Sequence, residues 1–186
     1  MRRPLILVSN DDGITSKGIL TLVNIMKELG EVIVVAPDSP QSGMGHAITV
    51  GESLRLEENF IFDGVKAYEC SGTPADCVKI ARHFVLKGQR QPDVVVSGVN
   101  HGSNTSISVL YSGTMSAAIE AAIEGTPAIG FSLLFGVLGA TGIPAGTASG
   151  TAPAAAHAQF TTAVRPPARP ARRPAGGAGA TRVGPP

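Results

Sequence analysis

The sequence predicts an α/β protein: a three-layer, Rossmann-like sandwich around a parallel sheet, with an antiparallel β-ribbon added and its C-terminal part incomplete. Three observations carry this. Continuous apolar runs of strand length recur at Pro4–Ser9 (PLILVS), Glu31–Ala36 (EVIVVA), Asp93–Ser97 (DVVVS) and Ala128–Leu133, and uninterrupted runs suit strands covered on both faces. Stretches with helical spacing separate them. Capping and turn residues stand at the joins.

Taken in order, Pro4–Ser9 is the first strand. From Gly18 the period changes, and Ile19, Leu22, Val23, Met26 and Leu29 mark one face of a helix closed near Gly30. Glu31–Ala36 completes a βαβ unit, which should be right-handed and parallel. Between Ile48 and Tyr68 the pattern alternates (Ile48, Val50, Leu54, Leu56, Phe60, Phe62), as an antiparallel ribbon would. Thr73-Pro74 reads as a helix start, a capping hydroxyl followed by Pro in the first turn. Val78, Ala81, Phe84 and Val85 would form that helix's apolar face. A last helix starts at Ser112–Thr114, with Met115, Ala118, Ile119, Ala122 and Ile123 inward, and ends at Gly125 and Pro127 before the strand from Ala128.

The domain reading divides the chain into residues 1–134, an incomplete α/β domain, and 135–186, a low-complexity tail. Ala, Gly and Pro make up 31 of the last 52 residues, and the tail has no Asp, Glu or Lys. Such a composition cannot offset its ordering entropy and is expected to be disordered. It fits a natural flexible tail or, preferably, a shifted reading frame, because GC-rich codons read out of frame yield Ala, Gly, Pro and Arg.

Charge excludes some classes. The net charge is +1, so neither a nucleic-acid duplex nor a membrane surface is an expected partner. The least polar stretch, Ala128–Ala140, falls short of the roughly 20 residues that span a bilayer. Two cysteines, Cys70 and Cys77, form neither a disulfide framework nor a zinc pattern. A cytoplasmic location is expected.

Residues that could carry chemistry gather where strands end, the rim at which open α/β sheets bind ligands. Residues 8–15 read VSNDDGIT, and two adjacent carboxylates, Asp11 and Asp12, repel unless a cation or proton lies between them. The other rim segments, VVAPDSPQSG and VVSGVNHGSN, offer Ser42 and Asn100. Two carboxylates, a hydroxyl and an amide are hard oxygen donors that favour Mg²⁺, Mn²⁺ or Ca²⁺ over zinc. Taken singly, NDDG is also a turn sequence and Ser42 and Asn100 are ordinary loop residues. Ser112, Gly113 and Thr114 at a helix start could hold a phosphate on backbone N–H groups, the plainer reading being an N-cap. The glycine patches lack the full dinucleotide fingerprint, so a nicotinamide-dependent oxidoreductase is poorly supported.

Five blocks in order, SNDDG (9–13), APDSPQSG (36–43), SGTPADCV (71–78), SGVNHGSN (97–104) and YSGTMSAA (111–118), closely resemble the SurE (survival protein E) nucleotidases over about residues 4–134. The resemblance implies a SurE-like fold. It implies divalent-metal-dependent hydrolysis of nucleoside 5′-monophosphates, and in the wider reading 3′-monophosphates, by a phosphomonoesterase. It assigns Asp11, Asp12, Ser42 and Asn100 as ligands of one Mg²⁺ or Mn²⁺ per chain, and places Asn104, Ser112, Gly113 and Thr114 in the blocks that line the phosphate pocket; Asp11 and Asp12 are the candidate catalytic residues, Asp11 to orient or deprotonate the attacking water and Asp12 primarily as a ligand. It also implies a homodimer or homotetramer. Family members usually continue for roughly another hundred residues, so the rival expectation is a non-catalytic remnant that binds a metal ion at most.

Overall fold

The computed structural model describes residues 2–102, 106–134 and 157–164. Its seven strands are β1 (Leu5–Ser9), β2 (Glu31–Pro37), β3 (Leu56–Asn59), β4 (Lys66–Cys70), β5 (Val94–His101), β6 (Ala128–Leu134) and β7 (His157–Val164). They form one sheet in the order β3-β4-β2-β1-β5-β6-β7. The five central strands run parallel, and β3 and β7 run antiparallel at the two edges. Helix α1 (Lys17–Leu29) covers one face, and α2 (Pro74–Ile80) and α3 (Gly113–Ile123) cover the other. This is the doubly wound sandwich read from the sequence.

Strand alternation divides the core between the two faces. Leu5, Leu7, Ile33, Val35 and Val95 face α2 and α3, joined by Val78, Met115, Ala118 and Ala121. Ile6, Val8, Val34 and Val96 face α1, whose Ile19, Leu22, Val23 and Met26 are buried against them. Leu7 and Val8 are fully buried, and truncating such a side chain to Ala costs about 2–5 kcal/mol.

Helix α2 begins as its sequence indicates. Asp76 N–H donates to Thr73 Oγ1 at 3.2 Å, and Thr73 N–H donates to Asp76 Oδ2 at 3.0 Å, a capping box with Pro74 in the first turn. Asp76 also accepts Thr49 N–H and, at 2.7 Å, the Thr49 hydroxyl, which fastens the 47–49 loop to the helix. Cys70 and Cys77 are buried free thiols.

Several expectations are corrected. The helix after Thr73 changes pitch at Ala81–Val85, a π-helical turn in which Leu86 N–H donates to Ala81 O at 2.8 Å. The extra residue rotates the apolar face, so Leu86 is buried and Phe84 is 72% exposed. In α3, packing against both α2 and the sheet moves the buried stripe onto Thr114, Ala117, Ala118, Ala121 and Ala122, leaving Ile123 outside. Leu29 is likewise exposed. The alternation read from Ile48 becomes a strand only at Leu56; β3 and β4 form the antiparallel ribbon, and β4 also lies parallel to β2, so the ribbon is the margin of the main sheet. Within the tail expected to be disordered, residues 157–164 (HAQFTTAV) form β7 against β6. Their Phe, Thr and Val content suits a strand better than the surrounding Ala, Gly and Pro. The rest of the tail, 135–156 and 165–186, lies outside the described residues.

Candidate active site

The rim at the carboxyl ends of β1, β2 and β5 is built from loops that bind one another through the backbone. After β1, Asn10 is buried and its side-chain amide donates to Gly13 O at 2.9 Å and Ser16 Oγ at 2.8 Å. Gly13 adopts φ +93°, which closes the turn over Asp11 and Asp12. Ile14 N–H donates to Pro37 O at 2.9 Å, and Gln41 N–H donates to Asp11 O at 2.7 Å. The loop after β2 is therefore held against the carboxylate turn, with exposed Ser42 one residue beyond the bond to Asp11.

That same loop rests on the segment leading into α3. Gly45 N–H donates to Tyr111 O at 3.3 Å, and a Cβ on Gly45 would come within 2.9 Å of Leu110 O. On the β5 side, the register with β6 shifts between Ser97 and Asn100. Asn100 Nδ2 donates to Gly102 O at 3.1 Å, so its Oδ1 is the atom left to accept or ligate. A Cβ on Gly18 would lie 2.3 Å from Val99 O, which shows how closely the start of α1 backs this loop.

Helix α3 enters the site at its N-terminus. Ser112 Oγ accepts Met115 N–H at 3.1 Å as the N-cap, so the capping reading of this serine holds. Thr114, fully buried, donates its hydroxyl to Asp11 Oδ1 at 2.5 Å. A Cβ on Gly113 would stand 2.5 Å from Asp11 Cβ. Asp11 itself thus takes the anion position at the start of α3, where N–H groups and the helix dipole favour negative charge.

Asp11 is 4% exposed. Burial raises its carboxyl above the usual range; the Thr114 hydroxyl opposes that rise and the neighbouring Asp12 charge adds to it. Among the described residues no basic side chain pairs with Asp11 or Asp12. Among the described residues the buried oxygens Ser9 Oγ, Asn10 Oδ1 and Ser97 Oγ have no hydrogen-bond partner, and Ser9 and Ser97 are register neighbours on β1 and β5. The donor set is two carboxylates and neutral oxygens; among the described residues no group of three or more His, Cys, Asp or Glu could hold a metal. Such a set suits a hard divalent cation.

The structure thus brings Asp11, Gly113 and Thr114 into contact, sets Ser42 next to the residue bonded to Asp11, and leaves Asn100 at the end of the neighbouring strand. Asn104 lies outside the described residues. Sequence reasoning missed a second polar cluster. Buried Glu120 of α3 accepts Lys79 Nζ at 2.6 Å and lies 2.8 Å from His46 Nε2, which ties α2 and the Ser42 loop to α3. The available signal was a charged residue inside the apolar stripe of a helix.

Fold and rim together define a doubly wound α/β protein with paired carboxylates at the strand ends. A model of the family described as Survival protein SurE matches residues 6–166, past the limit read from the motifs. The chain belongs to the SurE family. It is 77% identical over 133 residues to the 5′-nucleotidase SurE of Cytophaga hutchinsonii, covering 72% of this chain and 51% of that protein. To the 5′-nucleotidase SurE of Christiangramia forsetii it is 68% identical over 135 residues, with the same coverage of 72% and 51%. The crystal structure of the SurE protein from Aquifex aeolicus superposes with a TM-score of 0.62 at 43% identity, covering 69% of this chain and 50% of that one. The chain spans about half the length of the curated relatives it matches. Among the described residues no helix is long and apolar enough to cross a membrane.

Proposed function

We propose that the chain carries the catalytic rim of a divalent-metal-dependent phosphomonoesterase that hydrolyses nucleoside 5′-monophosphates, with 3′-monophosphates as a further substrate class. The observation that carries this reading is buried Asp11 beside Asp12 with no basic partner among the described residues. Two neighbouring carboxylates drawn out of water need a cation, and Asp11, Asp12, Ser42 Oγ and Asn100 Oδ1 would hold one Mg²⁺ or Mn²⁺. When bound, such an ion supplies Lewis acidity toward a phosphate oxygen and lowers the pKa of water.

The chain's own groups do the remainder. Thr114 occupies Asp11 Oδ1, so Oδ2 is the oxygen that orients an attacking water or takes its proton; Asp12, only partly buried, serves chiefly as a ligand. Gly113, without a Cβ, makes room for Asp11 against the α3 start, and Ser112, Gly113, Thr114 and Asn104 would form the phosphate side of the rim beside it. The names of the relatives favour a nucleotide as substrate. A cytoplasmic homodimer or homotetramer is the matching assembly.

A second reading is a rim that binds the ion without turnover. Phosphate release from AMP with Mn²⁺, run beside Mn²⁺ calorimetry, separates the two. Release lost in Asp12→Asn supports the enzyme; binding without release supports the non-catalytic rim. Absence of Mn²⁺ binding rejects both.

A further inference from the structure

Residues 1–134 carry fourteen Asp and Glu against ten Lys and Arg, and half of those ten cations line one cleft. It lies at the amino ends of β1, β2 and β4, the end of the sheet opposite the candidate active site. The seven residues of β2 separate the two ends by about 20 Å. The cleft has a volume of about 820 Å³. Arg2 and Arg3 line it from the segment before β1, Lys27 from the last turn of α1, Lys66 from the first residue of β4 and Arg90 from the connection into β5. These cations are held in place with little neutralisation. Arg3 Nη2 donates to Lys27 O at 2.6 Å and to Glu28 O at 3.2 Å, Lys27 Nζ donates to Asp63 O at 2.8 Å, and Arg90 Nη2 donates to Arg3 O at 2.9 Å. Carbonyl oxygens fix a side chain but carry no formal charge. Two carboxylates pair with the cluster, both at Arg90: Asp93, hydrogen-bonded to it, and Glu31 at 3.8 Å. Among the described residues no carboxylate pairs with Arg2, Arg3, Lys27 or Lys66. The α1 C-terminus that Arg3 caps adds about half a negative charge, so positive charge stays in clear excess.

We propose that this cleft binds a di- or triphosphate group, inorganic or carried by a nucleotide, at a site separate from the carboxylate rim and independent of its chemistry. Cations gathered from four segments of a chain that is otherwise acidic over residues 1–134 repel one another until an anion lies between them. A concave site admits a small ligand, and the field of like charges is focused inside it. A phosphate chain places several negative charges within a few ångströms and so meets cations on more than one wall. Guanidinium forks suit its oxygens, and the Lys27 and Lys66 ammonium groups act as point charges. A nucleic-acid duplex would want cations spread along a ridge, whereas here they surround a hollow.

The test is isothermal titration calorimetry of the intact chain in metal-free buffer, with ATP, inorganic tripolyphosphate and adenosine as probes. ATP and tripolyphosphate bind one per chain, adenosine does not, and both affinities fall as salt rises. The Arg2→Gln/Lys66→Gln double variant keeps the parent melting curve, because both side chains are exposed and make no hydrogen bond or ion pair among the described residues, and it binds both anions on the order of ten-fold more weakly. The charge-matched Lys17→Gln/Arg55→Gln variant, altered outside the cleft, binds as the parent does. Tripolyphosphate bound at least as tightly as ATP assigns the site to the phosphate chain itself, and tighter ATP assigns it to a nucleotide. No binding by either anion, binding untouched by Arg2→Gln/Lys66→Gln, or an equal loss in both double variants overturns the proposal.

Discussion

Thr114 donates its hydroxyl to Asp11 Oδ1 at 2.5 Å across 103 residues of chain. One bond therefore joins the turn after the first strand to the first turn of α3. It is also what Asp11 receives in place of water. Because burial outweighs that bond, Asp11's folded pKa lies above its ordinary 3.8. Such a group contributes stability fully below pH 3.8, and the contribution is lost as pH rises through the folded value. At neutral pH the ionised carboxylate opposes folding.

Asp11→Asn is expected to raise the melting temperature at pH 7 in chelated buffer, since Asn keeps an oxygen for Thr114 and loses the charge. Saturating Mn²⁺, at about one hundred times its Kd, should stabilise the parent by about 2.7 kcal/mol and leave the variant unmoved. Differential scanning fluorimetry with and without Mn²⁺ reads both effects. An equal Mn²⁺ gain in the variant would remove Asp11 from the ion site.

Gly113→Ala places a methyl where Asp11 Cβ stands 2.5 Å away. The expected cost is about 1–3 kcal/mol in urea unfolding, together with weaker Mn²⁺ binding by calorimetry. An unchanged urea midpoint would show that α3 and the carboxylate turn are free to separate.

Glu120→Ala withdraws the acceptor shared by Lys79 and His46. Lys79 and His46 are 39% and 31% exposed, so water compensates in part and a loss of about 1–2 kcal/mol is expected. Hydrogen exchange should rise across the loop carrying Ser42, since His46 anchors it. Parent-like protection there would assign the anchoring to the backbone bonds of Gln41 and Gly45.

Glu124 titrates in the opposite sense to Asp11. Burial pushes its carboxyl up, but the bonds from Lys79 and His83 outweigh that, and the net shift is below 4.5. Its contribution to stability is present above pH 4.5 and is lost as pH falls through the folded value. Glu124→Gln should therefore flatten the acid limb of a stability–pH curve and leave the region above pH 5 parallel to the parent. A variant acid limb as steep as the parent's would refute this.

The parallel core was legible because burial on both faces leaves continuous apolar runs such as LILVS and VIVVA. The α2 start was legible because a capping box is local chemistry between Thr73 and Asp76. Phe84 misled because the π-helical turn is invisible to a 3.6-residue period, and Ile123 misled because α2 decides which side of α3 is inward. At the site, the NDDG carboxylates stood out through their own repulsion. Thr114's bond to Asp11 and Glu120's to His46 did not, since each joins residues more than seventy positions apart and depends on how helices sit on the sheet.

The outermost strand on the β4 side is short and carries Glu57 and Glu58, both exposed. A sheet margin with open backbone groups invites another chain to extend it, and adjacent negative charges repel a like strand. The acidic LEEN border thus acts as a fence against fibrillar growth, one that acid or concentrated salt would lower.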